Sequence, residues 1–361
     1  MKLSVPEYIY SIKPYKPGKP LEELEREYGI SDSIKLASNE NPLGPSPLAV
    51  KAIQRTVGKL HRYPDGSGHD LINKLAGHLS VSPENIVLGN GSDEIIEMLT
   101  CALLQTDDEA ILPQPSFLMY DILVRRAGAK PVQVPLSSRS IDLKKMKSRI
   151  TPATRMIFLC NPNNPTGTIF LKAEFESFLN SIPDGVVVVI DEAYIEFVRD
   201  PECANGIDYL DDNRAVVTLR TFSKAYGLAG LRIGFGIMPA EIAGLLNRVR
   251  LPFNANSLAL VGAAAALKDD VFLKTTQHLI HEGLDFLWSS LEQMGIKYFP
   301  SQSNFFLIDV KKDADDVFEK MLQQGVIVRS MTSYGYPEYI RINVGLHDEN
   351  VRFIEALKKI L

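Results

Sequence analysis

The chain has 361 residues, 45% of them hydrophobic and 23% charged, and its 39 basic and 44 acidic side chains leave a formal charge of −5. This composition belongs to a folded chain of about two domains, excludes global disorder, and without a concentrated basic block carries no signature of a nucleic-acid partner. Three isolated cysteines, Cys101, Cys160 and Cys203, make neither a disulfide framework nor a Cys-rich metal site, and no apolar stretch approaches the ~20 residues a membrane helix needs; a reducing, cytoplasmic setting is expected.

The first forty residues read as an arm. A Pro/Lys/Gly-rich stretch at 13–20 leads to a short amphipathic helix with Leu21, Leu24 and Tyr28 on one face. A strand-like run at 34–37 and the turn-rich SNENPLGPSP follow. Such an arm cannot form a core alone, so it should pack on the body or on a second subunit.

From about residue 48 to 250, helical patterns alternate with short β-branched runs at 85–88, 109–112, 156–159, 186–190 and 215–219. Apolar runs without strict alternation predict strands buried on both faces, and helices between them predict a mostly parallel α/β sheet. After Pro252 the texture changes: a long helix through Phe272, Leu279, Leu287 and Leu291 stops at Gly295. Strand 305–310, helix 314–324, strands 326–330 and 339–344, and a closing helix capped by Asp348 complete a smaller α/β unit. The expected division is an arm with a small-domain segment at 1–38, a large domain at 39–250 and a small domain at 251–361.

In parallel sheets functional groups gather beyond the carboxyl ends of the strands, and four of the five strand ends here carry unusual polar groups. After 85–88 comes GNGSDE opening a helix, where free backbone N–H groups suit a phosphate; a plain turn capped by Ser92 is the alternative. After 156–159 comes CNPNNPTGT, in which Asn161, Asn163 and Asn164 can present fixed amides, or simply make a turn. After 186–190 comes Asp191, a carboxylate expensive to desolvate unless a positive group lies beside it, or else a helix cap. After 215–219 comes RTFSKAYGLAGLRIGFG, with Lys224 flanked by small residues and Arg232 eight positions on. Together these supply an amine nucleophile, an anion for a ring nitrogen, a phosphate cradle and fixed amides, the partners that pyridoxal phosphate needs.

TFSKAYGLAGLRIG resembles the pyridoxal-phosphate attachment signature of the fold-type I aminotransferases, and NPNNPTG, IDEAY and GNGSDE are similar to their other landmark motifs. YKPGKPLEELEREYGI, KLASNENPLGPSP, RYPDGSG and VRSM…YGYPEYIRINVG further resemble the histidinol-phosphate aminotransferase family, over essentially the whole chain. The resemblance implies a central sheet sandwiched by helices in a large domain binding pyridoxal 5'-phosphate, a smaller α/β domain and an N-terminal arm. It implies transfer of an amino group between L-histidinol phosphate and 2-oxoglutarate, giving imidazole-acetol phosphate and L-glutamate in histidine biosynthesis. An aromatic amino acid aminotransferase and a decarboxylase of a phosphorylated amino acid are the rival readings within the fold. A non-catalytic regulator would carry a basic DNA-binding domain that this sequence lacks.

Residue by residue, the resemblance makes Lys224 the Schiff-base lysine and proton shuttle, and Asp191 the partner of the ring nitrogen. Asn164 and Tyr194 would hold the ring's phenolic oxygen, with Tyr194 counted among the catalytic residues. Ser92, Asp93, Ser223 and Arg232 would bind the cofactor phosphate, with Tyr63 reaching it from the neighbouring subunit of a homodimer that shares its active sites. Phe117 would stack on the ring. Arg341 would grip the substrate carboxylate or its equivalent, Arg329 and Tyr15 would select the substrate phosphate, and Asn39 would touch the substrate. No metal is expected: His61, His69 and His78 share no ligand spacing, and His278 and His281 lack the accompanying glutamate of a zinc helix.

Overall fold

The computed structural model describes residues 4–14, 23, 26, 27, 29, 30 and 32–361. Tyr15 and the helix expected around Leu21, Leu24 and Tyr28 lie outside the described residues. No helix among the described residues is long and apolar enough to cross a membrane.

After a four-residue helix at Glu7–Tyr10 comes a two-residue strand, β1 (Ile34–Lys35), and the chain then builds a seven-stranded sheet from β2 (Ile86–Gly89), β3 (Glu109–Gln114), β4 (Lys130–Pro135), β5 (Thr154–Cys160), β6 (Val187–Asp191), β7 (Val216–Thr221) and β8 (Gly234–Ile237). The strand order is β2-β8-β7-β6-β5-β3-β4, parallel throughout except for β8, which runs antiparallel to both its neighbours. All five expected strands are present, so the sheet is mostly parallel and flanked by helices.

The reason is visible in β6. Val187 and Val189 pack with Met156, Phe158 and Leu99 on one face, whereas Val188 and Ile190 pack with Leu159 and Phe175 on the other. An element apolar on both faces is stable only between two helical layers. Two strands escape the apolar-run rule. The edge strand β4 carries two prolines and is mostly uncovered, and β8 reads GFGI because its neighbours leave no room. A Cβ on Gly236 would sit 2.7 Å from the Met238 methyl carbon, and one on Gly234 2.6 Å from the Ser92 nitrogen.

The remaining strands are β9 (Tyr298–Phe299), β10 (Phe305–Asp309), β11 (Val326–Ile327), β12 (Arg329–Ser330) and β13 (Tyr339–Asn343). Four of them form an antiparallel sheet in the order β12-β13-β10-β9, and β11 pairs in parallel with β1. The single run expected at 326–330 is thus two strands serving two sheets. The apolar helix Ser257–Ala266 packs on the helix Pro47–Thr56.

The expected cap at Asp348 is corrected, and the alternative of a turn capped by Ser92 is not what forms. The closing helix spans His347–Ile360, so Asp348 lies inside its first turn, and the Glu349 carboxylate instead accepts from the Leu346 N–H at 2.7 Å. The helix Ser92–Leu103 begins after Gly91, whose φ of 78° suits only glycine, and Ser92 caps nothing.

Candidate active site

The polar strand ends converge. Ser92, Asp93, Phe117, Asn164, Asp191, Tyr194, Ser223, Lys224 and Arg232 all line one cavity of about 170 Å³ at the carboxyl ends of β5, β6 and β7. Nine residues read from separate stretches of sequence therefore face the same space.

One end of the cavity is built for an anion. The helix Ser92–Leu103 opens without any side-chain cap, so its first N–H groups keep their hydrogen-bonding capacity and the positive end of its dipole. Arg232 is held in the left-handed region (φ 55°, ψ 63°) and lies 3.5 Å from the Asp93 carboxylate. Gly91 sits at φ 78°, which favours glycine, and a Cβ there would push the Arg232 guanidinium, 2.6 Å away, out of its place. Beyond β7, the Ser223 N–H donates to the Thr221 hydroxyl at 3.1 Å, a local turn that fixes Ser223 beside the arginine.

Lys224 follows directly. Its Nζ donates to the Ser38 carbonyl at 3.2 Å and lies 5.7 Å from the Tyr194 ring centre. Burial first, and the neighbouring Arg341 next, lower its pKa to about 8, well below an ordinary lysine. The loop carrying it is pinned at Gly227, where φ is +68° and an added Cβ would meet the Gly44 carbonyl oxygen at 2.0 Å.

Asp191 ends β6 at 3% exposure. Burial pushes its pKa up to about 6, against the pull of two donors. Tyr120 donates its hydroxyl proton to Oδ2 at 2.7 Å and Ala193 its N–H to Oδ1 at 3.1 Å. Asp191 caps no long helix; it is a buried carboxylate whose hydrogen-bond partners among the described residues are neutral.

The asparagine loop divides its labour. Asn161 donates to the Ala204 carbonyl at 2.9 Å and accepts from the Phe170 N–H at 3.0 Å, and Asn163 joins Ser116 and Thr166. Both amides hold the loop together, so only Asn164 is left to face the cavity. Asn164 Oδ1 accepts from Arg341 at 2.5 Å, and Arg341 also donates to the Ala37 carbonyl at 2.9 Å. Asn39 donates to the Tyr194 hydroxyl at 2.9 Å, and burial holds that phenol well above its ordinary pKa.

The other expected residues are placed differently. Arg329 on β12 is the register partner of Arg341 on β13 and so shares its face of the small sheet, half-buried and outside the cavity lining. Tyr63 is 82% exposed and stacks on Phe253 with ring centres 4.7 Å apart, away from its own chain's cavity. Ser38, Glu40, Cys160 and Tyr120 are among the contributors that the sequence did not reveal. Their signals were weak. Ser38 acts through its backbone carbonyl, Cys160 reads as one more apolar strand residue, and Tyr120 shows only a hydroxyl on an otherwise apolar helix face.

The chain matches the family described as aminotransferase class I and II over residues 31–357. The histidinol-phosphate aminotransferase of Desulfotalea psychrophila is 50% identical, with 100% of this chain and 96% of the relative covered. That of Moorella thermoacetica is 47% identical over 98% of this chain and 92% of the relative. Among solved structures, histidinol-phosphate aminotransferase from Sinorhizobium meliloti in complex with pyridoxal-5'-phosphate matches with a TM-score of 0.90 at 27% identity, covering 98% of this chain and 96% of that one. An aspartate aminotransferase from Thermus thermophilus shares the fold, with a TM-score of 0.86 at 22% identity over the full length of both chains.

Proposed function

The chain belongs to the class I and II aminotransferases, and from that premise we propose that it transfers the amino group of L-histidinol phosphate to 2-oxoglutarate with pyridoxal 5'-phosphate as cofactor. The products are imidazole-acetol phosphate and L-glutamate, a step of histidine biosynthesis. The observation that carries this reading is the meeting of Lys224, Asp191, Asn164, Tyr194, Ser223 and Arg232 around one cavity.

The residues fit that cofactor. The uncapped helix start with Arg232 suits its phosphate, and Gly91 leaves no side chain in the way. Asp191, buried among neutral donors, is matched to a protonated ring nitrogen, and Phe117 offers a face for the ring. When bound, pyridoxal 5'-phosphate supplies an aldehyde that takes up the donor's amino group and a ring that accepts the electron pair left on the donor's carbon.

In this reading Lys224 Nζ, released from the Ser38 carbonyl, removes the proton from the amine-bearing carbon of the substrate and returns it later. A pKa near 8 leaves part of the amine neutral at neutral pH, as that task requires. Asn164 and Tyr194 orient the ring's phenolic oxygen. Arg341 presents a planar fork to a carboxylate, and Arg329, on the same face of the sheet, meets the phosphate of the longer substrate. The division into a cofactor domain at 39–250 and a substrate side formed by 1–38 with 251–361 belongs to the same proposal.

The proposal extends to a homodimer in the cytoplasm. Val57, Leu60, Tyr63, Leu251 and Phe253 are exposed apolar side chains from two neighbouring stretches, with Tyr63 stacked on Phe253. A second copy covering them would bring Tyr63 to the partner's phosphate cradle. Sedimentation should then give a dimer whose activity falls as dilution separates the subunits; an active monomer would contradict it.

The deciding experiment is steady-state assay with histidinol phosphate, phenylalanine and threonine phosphate side by side. Histidinol phosphate should give the highest kcat/KM by transamination; preference for phenylalanine, or release of CO₂ from threonine phosphate, would replace the substrate assignment. Lys224→Ala should lose both the visible absorbance of the bound cofactor and turnover. Transamination by that variant would sink the lysine's role.

A further inference from the structure

Resting on the cofactor assignment above, we propose that Tyr120 is a positioning residue of this site, its hydroxyl holding the Asp191 carboxylate in the orientation from which it meets the cofactor ring. Tyr120 does not itself line the cavity, yet it joins two lining groups that would contact the ring. Its hydroxyl donates to Asp191 Oδ2 at 2.7 Å, and its ring meets Phe117 edge-on, with centres 5.5 Å apart and planes at 83°. On its other side it stacks on Phe158 at 4.9 Å and 14°.

The clamped hydroxyl has one proton, and Asp191 Oδ2 accepts it in a hydrogen bond, with the Cys160 thiol the hydroxyl's other near neighbour. At 1% exposure its own ionisation is strongly opposed, so it stays a donor across the working pH range. The Ala193 N–H holds the opposite oxygen at 3.1 Å, so the carboxylate is gripped at both ends and cannot swivel about its Cβ–Cγ bond. Lys224 and Arg232 line the same cavity, but the charged groups that act most on the Asp191 carboxylate oppose it. Asp93 and Glu192 act against ionisation, and Cys160, its register partner on β5, and Tyr194 are buried and neutral. Tyr120 and the Ala193 N–H are thus the groups that favour the anion and aim it.

The experiment titrates Asp191 itself by carbon-13 NMR of the cofactor-free protein labelled at aspartate, with Asp191→Asn as the assignment blank. Tyr120→Phe should move the Asp191 midpoint upward by about one pH unit, as expected for losing one hydrogen bond to a charged acceptor. It should also weaken uptake of pyridoxal phosphate about tenfold at pH 7.5 and lower kcat with KM for histidinol phosphate little changed. Phe158→Leu, which lets the Tyr120 ring tilt, should move the midpoint less in the same direction. Phe175→Leu, an equal insult to the core on the opposite face of the sheet, should leave it where it is.

A midpoint unmoved in both Tyr120→Phe and Phe158→Leu, or moved as far by Phe175→Leu, overturns the proposal. Should Tyr120→Phe not fold, Phe158→Leu against Phe175→Leu decides alone. Failure of the functional reading looks different: the wild-type protein would then develop no visible absorbance with pyridoxal phosphate, whatever Asp191 does in the titration.

Discussion

Where β6 ends, two consecutive carboxylates turn to opposite faces of the sheet. Glu192 faces a cation: Arg220 donates to Oε2 through Nε at 3.0 Å and Nη2 at 2.9 Å, and the Gly206 N–H donates to the other oxygen. Asp191 faces the tyrosine and the backbone amide described above, both neutral. Burial raises the pKa of both groups, and for Glu192 the arginine pulls back. A buried ion pair completed within the chain is part of the scaffold, whereas a buried carboxylate left with neutral donors is set out for a cation that arrives from elsewhere.

This contrast can be broken by exchanging the outcomes. Asp191→Ala should lower kcat/KM by about 10²–10³ or more, the scale of removing one preorganised electrostatic partner, with the melting temperature of the cofactor-free chain unchanged or raised. Glu192→Ala should do the reverse: leaving Arg220 buried and uncompensated should destabilise the fold by about 3–5 kcal/mol, while folded molecules turn over within tenfold of wild type. Urea melts and kinetics on the two variants test this directly. Equal loss of activity in both would erase the distinction.

Acidity sharpens the comparison. Asp191 is held up to about 6 from the usual 3.8, so the native cofactor-free chain keeps a proton that the unfolded chain has lost. Its contribution to stability is full below the unfolded value and disappears as pH rises through 6, by roughly 3 kcal/mol over the whole range. Urea unfolding of wild type minus Asp191→Asn, between pH 4.5 and 7.5, should show that decline. A flat difference would mean that Asp191 ionises freely without the cofactor.

The smallest effect separates two arginines. Arg220 is consumed by Glu192, and Arg329 is assigned to the substrate phosphate. Arg329→Leu should raise KM for histidinol phosphate about tenfold, with less change for phenylalanine. Equal change for both substrates would remove Arg329 from phosphate selection.

Much of the cofactor side was legible because its cues are local. Each strand is an apolar run, and each functional group follows a strand end within a few residues, so Asp191, Lys224 and the GNGSDE turn could be read directly. What stayed hidden depends on distant neighbours. β8 is half glycine because the Ser92 backbone and Met238 crowd it, and β4 is a proline-bearing edge, so neither shows an apolar run. Asn161 and Asn163 looked equivalent to Asn164 until the Ala204 carbonyl and Ser116 claimed them. Tyr120 is indistinguishable in sequence from any buried helix tyrosine, since its partner lies 71 positions away.

The short strand β1 has a consequence for how the protein is made. It pairs with β11, the Leu36 N–H reaches the Ile327 carbonyl, and the Asn343 N–H reaches back to Leu36. The next two residues supply the carbonyls that receive Arg341 and Lys224. On the ribosome, Ser38 emerges early; the residues after it can dock on Tyr194 and Ala225 of the large domain, but those before it wait for the final stretch of the polypeptide. A message cut short after β10 would leave β1 without β11 and the Ala37 carbonyl without Arg341, so the segment carrying the lysine's docking carbonyl is held on both sides only once the last strands are made.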